Sequence, residues 1–253
     1  MLIGLIPVFN EEENVTRILN KLEKQLDYII IVNDGSFDGT DSLVSAWTGN
    51  RKNTHYISYE KNKGMSYALL QGFKFICEAY RRVSFSRNDL VITIDGDNQH
   101  DPDEIKNMYE YFNNNKLDVL IAERDFSGYP GYRIIGNRLM SSIASRMAGF
   151  TYKDIECGFK IMKVSFIVDL LSYYNGFRYS CAGEIGLSAR LLGYNIDNRY
   201  KINISYYRKR GPSFIDFFIN LMFYFLIFYK IKSTYKLKNP LMQDNPCLQH
   251  KMS

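Results

Sequence analysis

Asp95, Asp97 and Gln99 stand two residues apart directly after the apolar, β-branched run Val91-Ile92-Thr93-Ile94. A buried strand ending this way presents oxygen ligands at a rim, from alternate positions on one side of an extended chain. Oxygen-only donors suit Mg²⁺ or Mn²⁺, ions that usually arrive with substrate phosphates. The simplest chemistry such a site supports is transfer of a group away from a diphosphate. Two aspartates alone would fit a polar turn equally well, so the neighbouring segments have to decide.

Those segments alternate strand and helix. Residues 2–6 form an apolar run that meets Pro7 and Asn10, and 11–26 place Val15, Ile18, Leu19, Leu22 and Leu26 at helical spacing behind three glutamates. Residues 28–32 predict a second buried strand ending at Asn33-Asp34-Gly35-Ser36, followed by a short helix over 38–47. A strand at 55–58, a helix over 65–80, the strand at 90–94 and another at 117–122 continue the rhythm. Asp101, Pro102 and Glu104 carry the pattern of a capping box opening the next helix.

This alternation predicts a mostly parallel sheet with helices on both faces, and in such sheets ligands sit at the carboxyl ends of the strands. The polar clusters at 7–11, 33–36, 95–99 and 123–124 all fall at such ends. From Phe126 the rhythm changes: a loop to 132, a helix over 133–147, an irregular polar stretch from Asp154 to Lys160, a helix over 183–192 closed by Gly193, and one or two strands within 194–207.

Composition is consistent with this plan. The 253 residues suffice for one large α/β domain with a short appendage, and 46% hydrophobic with 15% aromatic content supplies a core. A net charge of +5 suits an anionic ligand or an acidic membrane surface but is not the dense basic field of a nucleic-acid binder. Cys77, Cys157, Cys181 and Cys247 have no metal-like spacing and read as free thiols of a reducing compartment. The first ten residues read as a strand rather than a signal peptide.

Residues 214–229 contain only Asp216 and Asn220 as strongly polar groups, and Lys230, Lys232, Lys236 and Lys238 follow at once. As a helix this segment is about 24 Å long, short of the ~30 Å hydrocarbon core. Asp216, Asn220 and Tyr224 share one stripe, with Phe217, Phe218, Leu221, Phe225 and Phe228 opposite. A bulky apolar face with cations behind it predicts a helix lying in a membrane interface; packing on the domain or in a homo-oligomer is the next arrangement, and a true span the least favoured.

Taken in order, Ile6-Pro7-Val8-Phe9-Asn10-Glu11-Glu12, Val32 to Thr40, Asn62-Lys63-Gly64, Ile94 to Pro102, Asp154 to Phe159, Glu184 and Arg208 to Ser213 resemble the family 2 glycosyltransferases, and among them the dolichol-phosphate mannosyltransferase-like group. The resemblance implies the GT-A fold, a Rossmann-like α/β architecture, and inverting transfer of a hexose from a GDP- or UDP-sugar to a polyprenyl phosphate with Mg²⁺ or Mn²⁺. It implies a peripheral location at the cytoplasmic face of the cell membrane. The chain then divides into a catalytic domain at 1–212, an interface helix at 213–232 and a flexible basic tail at 233–253.

Carried over residue by residue, Pro7, Asn10, Glu11, Asp34, Asp95 and Gly96 hold the donor, and Asp95, Asp97 and Gln99 hold the metal. Arg124, Arg133 and Arg208 hold the acceptor phosphate, with Arg138 and Arg210 one register away. Asp154 is the base if the acceptor is a sugar hydroxyl, and otherwise orients arginines. His100 reads as a helix-capping or surface residue, and Glu184 as a first-turn residue of its helix. Where the group carries a lysine, Ser213 is followed by Phe214, and no pair of membrane spans is evident. The rival readings are a transferase that extends a surface polysaccharide or lipid-linked oligosaccharide at a hydroxyl, a nucleotidyltransferase and a non-catalytic nucleotide-sugar binder. A nucleotidyltransferase would show a Gly-rich basic loop where Asn10 and the glutamates stand.

Overall fold

The computed structural model describes residues 1–97, 99–204 and 214–238. The first half runs β1 (Leu2–Val8), α1 (Val15–Leu22), β2 (Tyr28–Asn33), α2 (Thr40–Thr48), β3 (Thr54–Ser58), α3 (Met65–Arg81), β4 (Leu90–Thr93), α4 (Glu104–Asn114), β5 (Val119–Ile121) and β6 (Glu123–Arg124). It continues with α5 (Gly131–Ala148), β7 (Lys160–Lys163), α6 (Val164–Leu170), α7 (Cys181–Leu191), β8 (Ile196–Asp197), β9 (Lys201–Ile202) and α8 (Phe214–Lys238).

Seven strands form one sheet in the order β3-β2-β1-β4-β7-β5-β8. All its pairs are parallel except those of β7, which runs antiparallel between β4 and β5. β2 is buried from Ile29 to Asn33, as a central parallel strand covered on both faces should be. β6 and β9 pair separately as a short parallel ribbon. The β1–β4 ladder ends at Leu5–Thr93, two residues short of Pro7, which has no N–H to donate.

Three local expectations are corrected. The first helix begins at Val15 rather than 11; residues 12–14 form a turn in which the Asn14 and Val15 N–H groups share the Glu11 carbonyl, and the Glu11 N–H is held by Thr40 Oγ1 at 2.8 Å. The capping box before α4 is half formed: Asp101 accepts the Asp103 N–H, but Glu104 accepts the Tyr200 hydroxyl instead. The helix over 164–170 and the strand at 160–163 had no sequence signal, since a four-residue Lys-Ile-Met-Lys stretch lacks a pattern of its own.

α8 extends past the predicted segment, and residues 233–238 continue it where the sequence predicts a tail. Its packing is set by a missing side chain. A Cβ on Gly183 of α7 would lie 1.6 Å from Tyr224 Cε1, so the tyrosine ring occupies that space. Asp216, Asn220 and Tyr224 are buried against the domain, whereas Ile215, Met222, Phe225, Leu226 and Tyr229 are exposed. Among the described residues, no helix is long and apolar enough to cross a membrane. Cys77, Cys157 and Cys181 are buried free thiols, and Cys247 lies outside the described residues.

Candidate active site

The loops after β1 and β2 are sewn into one cradle. Asn10 adopts a left-handed φ of 55°, tolerable for asparagine, and its N–H reaches Ser36 Oγ while its Oδ1 accepts the Phe37 N–H. Ser36 Oγ donates to Asn33 Oδ1, and Glu12 Oε2 accepts the Gly39 N–H. Glu11 accepts the Asn14 amide through Oε2. Glu12 is a cradle residue that sequence reasoning missed, because the resemblance singled out its neighbour Glu11 in the glutamate run.

Asp34 is corrected in its direct role. The sequence places its carboxylate on the donor, but it faces the 61–64 loop instead. Oδ1 accepts from the Tyr59 hydroxyl and the Lys63 N–H, and Oδ2 from the Asn62 amide and the Gly64 N–H. Four donors fill both oxygens, so the side chain fixes the wall of the cradle. Gly35 makes this closure sterically feasible: at φ +68°, a Cβ there would stand 2.5 Å from Asn62 N.

The Asp95–Asp97 segment lies just past β4 and turns, so the extended-chain geometry expected there is also corrected. Asp97 Oδ1 accepts the Gln99 N–H at 3.0 Å, which folds the segment and keeps Asp97 and Gln99 adjacent. Gly96 is held by packing: a Cβ would be 2.7 Å from Val8 Cγ1 and 3.3 Å from the Pro7 carbonyl. Asp95 faces Gly158, where a Cβ would sit 2.9 Å from Oδ2.

The described residues hold no cluster of three or more His, Cys, Asp or Glu side chains suited to a metal. Two carboxylates and an amide oxygen still fit a hard divalent ion, which takes its remaining ligands from diphosphate oxygens and water. Asp95 keeps 19% side-chain exposure beside the close approach of Gly158.

His100 is neither a cap nor a surface residue. It is 4% exposed, packs on Phe159, and places Nε2 3.8 Å from Asp95 Oδ2, while Nδ1 has no partner. Burial pushes it down to about 4 against the opposing pull of Asp95, leaving a neutral imidazole at neutral pH. Lys160 is equally buried and donates to the Cys157 carbonyl at the start of β7. No sequence pattern announced either residue as interior.

On the other side of the rim, Arg124 forms a forked pair with Asp154, at 2.6 Å from Nε and 2.8 Å from Nη2. Asp154 also accepts the Arg124 N–H and the Asn137 amide at 2.7 Å, and it is fully buried. Burial alone would raise its carboxyl, but the Arg124 charge and these bonds outweigh it and hold it below the usual carboxylate range. A carboxylate so paired is a poor proton acceptor, and the contact it makes is of the orienting kind. Asn198, also missed, locks the turn by accepting the Lys153 and Asp154 N–H groups and donating to the Ile121 carbonyl.

Arg133 lies in the first turn of α5, four residues before Asn137 and thus on the same helix face. Its Nε donates to the Tyr132 hydroxyl at 3.4 Å. Arg138 is exposed. Arg208 and Arg210 lie outside the described residues. Glu184 is buried in the first turn of α7, where its carboxylate accepts from Ser180 and from Asn175, and burial pushes its carboxyl up.

Comparison with known proteins bears on the family and the fold. Residues 5–171 match the model of glycosyl transferase family 2. The UDP-N-acetylglucosamine–dolichyl-phosphate N-acetylglucosaminyltransferase of Methanococcus voltae is 28% identical over 247 residues, covering 90% of this chain and 93% of that one. An undecaprenyl-phosphate 4-deoxy-4-formamido-L-arabinose transferase of Pseudomonas paraeruginosa is 27% identical over 208 residues, 75% of this chain and 58% of that one. The names of these relatives specify N-acetylglucosamine and an arabinose derivative rather than mannose.

Among solved structures, Mycobacterium tuberculosis glucosyl-3-phosphoglycerate synthase in complex with UDP superposes with a TM-score of 0.60 at 14% identity, over 91% of this chain and 79% of that one. The same enzyme has been solved with Mn²⁺, UDP and glucosyl-3-phosphoglycerate. The shared fold is GT-A, as expected from the α/β pattern. With the family model covering most of the sheet and its rim, the chain belongs to glycosyl transferase family 2 and is a glycosyltransferase.

Proposed function

We propose that this enzyme transfers a hexose, with inversion, from a nucleoside diphosphate sugar to a polyprenyl phosphate at the cytoplasmic face of a membrane. The observation that carries the choice of acceptor is the locked Arg124–Asp154 pair. A sugar hydroxyl must lose a proton to attack, and Asp154 is already paired with an arginine and hydrogen-bonded by an amide. A phosphate oxygen is ionised before it arrives and needs cations and N–H donors rather than a base; Arg133 would supply the charge, with Arg124, whose charge Asp154 shares, as a fixed donor. The name of the relative that covers almost its full length points the same way.

The donor's nucleoside would rest in the Asn10–Glu12 and Asn33–Gly39 cradle, whose walls Asp34 and Gly35 hold. Asp95, Asp97 and Gln99 would hold Mg²⁺ or Mn²⁺, which when bound would neutralise charge on the leaving diphosphate. Attack by the acceptor oxygen at the anomeric carbon forms one C–O bond and breaks the bond to the diphosphate. The arginines keep the attacking phosphate opposed to that leaving group.

The test incubates the purified protein with labelled UDP- and GDP-hexoses, Mg²⁺ or Mn²⁺, and a short-chain polyprenyl phosphate. Label should enter the organic phase, and chelation should prevent it. Asp97→Ala should slow the reaction about 10²-fold or more, corresponding to ~3 kcal/mol of lost charge stabilisation. Label that appears only in a saccharide acceptor, or donor turnover with no lipid product, would overturn the acceptor assignment.

A further inference from the structure

α8 is apolar on both sides: Phe223, Ile227 and Ile231 are buried against the domain, and a second apolar face is left exposed. On a helix that packs on a domain and faces water, the apolar stripe turns inward. Here Asp216, Asn220 and Tyr224 turn inward together with that apolar set, yet the exposed side still carries Ile215 (67% exposed), Met222 (50%), Phe225 (44%), Leu226 (49%) and Tyr229 (65%).

The inner stripe reaches both halves of the candidate site. The Tyr224 hydroxyl donates to Glu156, inside the 154–158 segment. One end of that segment is Asp154, which holds Arg124, and the other is Gly158, which backs Asp95. Asp216 pairs with Arg178 Nε at 2.8 Å. Arg178 in turn lies against Gly64, whose Cβ would meet its Cα at 2.9 Å, and its carbonyl accepts the Ser66 N–H. That is the loop closed by Asp34. A single helix therefore braces the donor cradle, the Asp95 pocket and the arginine side.

The outer face needs an apolar cover, and the charges at its end indicate which. Lys230 and Lys232 are exposed where the apolar face ends, and Lys232 lies over the Phe228 ring at 4.9 Å. Across 214–238 the one acidic residue is Asp216, which is buried. The α8 of a second copy seated face to face would bring no exposed carboxylate to these lysines. An anionic bilayer offers hydrocarbon to the face and phosphate to the lysines.

We propose that α8 seats the enzyme on an anionic lipid surface by its outer face and, through the Tyr224–Glu156 contact, positions the 154–158 segment, so that lipid docking orders the active site. Tyr224 and Glu156 are positioning residues and touch no substrate. The proposal rests on the membrane-facing part of the function above, but its test needs no substrate.

The full chain is mixed with vesicles of phosphatidylglycerol and phosphatidylcholine, or of phosphatidylcholine alone, and followed by flotation and amide hydrogen exchange. The protein should float with anionic vesicles, and exchange across 154–158 should slow roughly fivefold to tenfold, the effect of securing one buried hydrogen bond. Tyr224→Phe should float as well as the wild type but show no slowing at 154–158. Glu156→Gln, which keeps an acceptor for the hydroxyl, should retain it. Phe225→Asp should no longer float.

Protection of 154–158 by vesicles in Tyr224→Phe equal to wild type would overturn the positioning link. Failure of the wild type to float, or a wild-type dimer that Phe225→Asp dissociates in light scattering, would overturn the lipid assignment. If the glycosyltransfer assay alone fails, flotation and exchange still decide this proposal separately.

Discussion

Asp154 gives the sharpest example of a residue whose role depends on its neighbours. Its carboxylate and the Arg124 fork are a buried pair at 0% and 18% side-chain exposure. Removing one partner leaves the other buried and uncompensated, so Asp154→Ala should cost about 3–5 kcal/mol in urea unfolding, and the Arg124→Ala/Asp154→Ala double variant should cost less than the two singles summed. The pH dependence follows from the lowered carboxyl. Its stabilising contribution is complete above the unfolded aspartate value of about 3.9 and is lost as pH falls through the lower folded value. Wild-type urea midpoints measured across the acid range should therefore drop below about pH 4, and Asp154→Asn should flatten that part of the curve.

At the scale of elements, the site depends on segments that approach through glycine. Gly35 admits the 61–64 loop, Gly158 admits the Asp95 carboxylate, and Gly183 admits the Tyr224 ring. The last offers a clean test of how α8 is attached. Gly183→Ala puts a methyl group where the ring now lies, an overpacking that costs roughly 1–3 kcal/mol. The expected result is a lower thermal midpoint and faster proteolytic cleavage within 214–238, while far-ultraviolet circular dichroism of the sheet domain is retained. Unchanged cleavage would mean that α8 is held by contacts other than this one.

For the whole molecule, the net charge of +5 and the two-sided α8 make lipid binding a sum of an electrostatic and an apolar part. Raising salt from about 0.1 M to about 1 M shrinks the screening length from ~10 Å to ~3 Å. Flotation with anionic vesicles should weaken under that change but persist, because burial of Phe225 and Leu226 is insensitive to screening. Complete release at high salt would leave the lysines as the sole anchor. The sheet presents its parallel strand ends to the same side throughout, which is why residues far apart in the chain can act on one ligand.

Periodicity alone located β1, β2, β4, α3 and the rim after them, because central parallel strands must be apolar and their polar ends stand out. It also gave the polar stripe of α8 and the oxygen-ligand pattern of Asp95 and Asp97, while the resemblance to a known family singled out Asn10, Arg124 and Asp154. Tertiary structure alone decided the direction in which that stripe points, and with it which face of the helix is left exposed. It likewise decided that Asp34 closes a loop, that Asp154 is locked to Arg124 and that His100 and Lys160 are interior. β7 could not be read in advance because a four-residue antiparallel strand gains its stability from β4 and β5 on either side. The physical reason is common to all these cases: a sequence states which groups a residue carries, while the direction of a side chain is set by the donors, charges and missing Cβ atoms brought to it from distant parts of the chain.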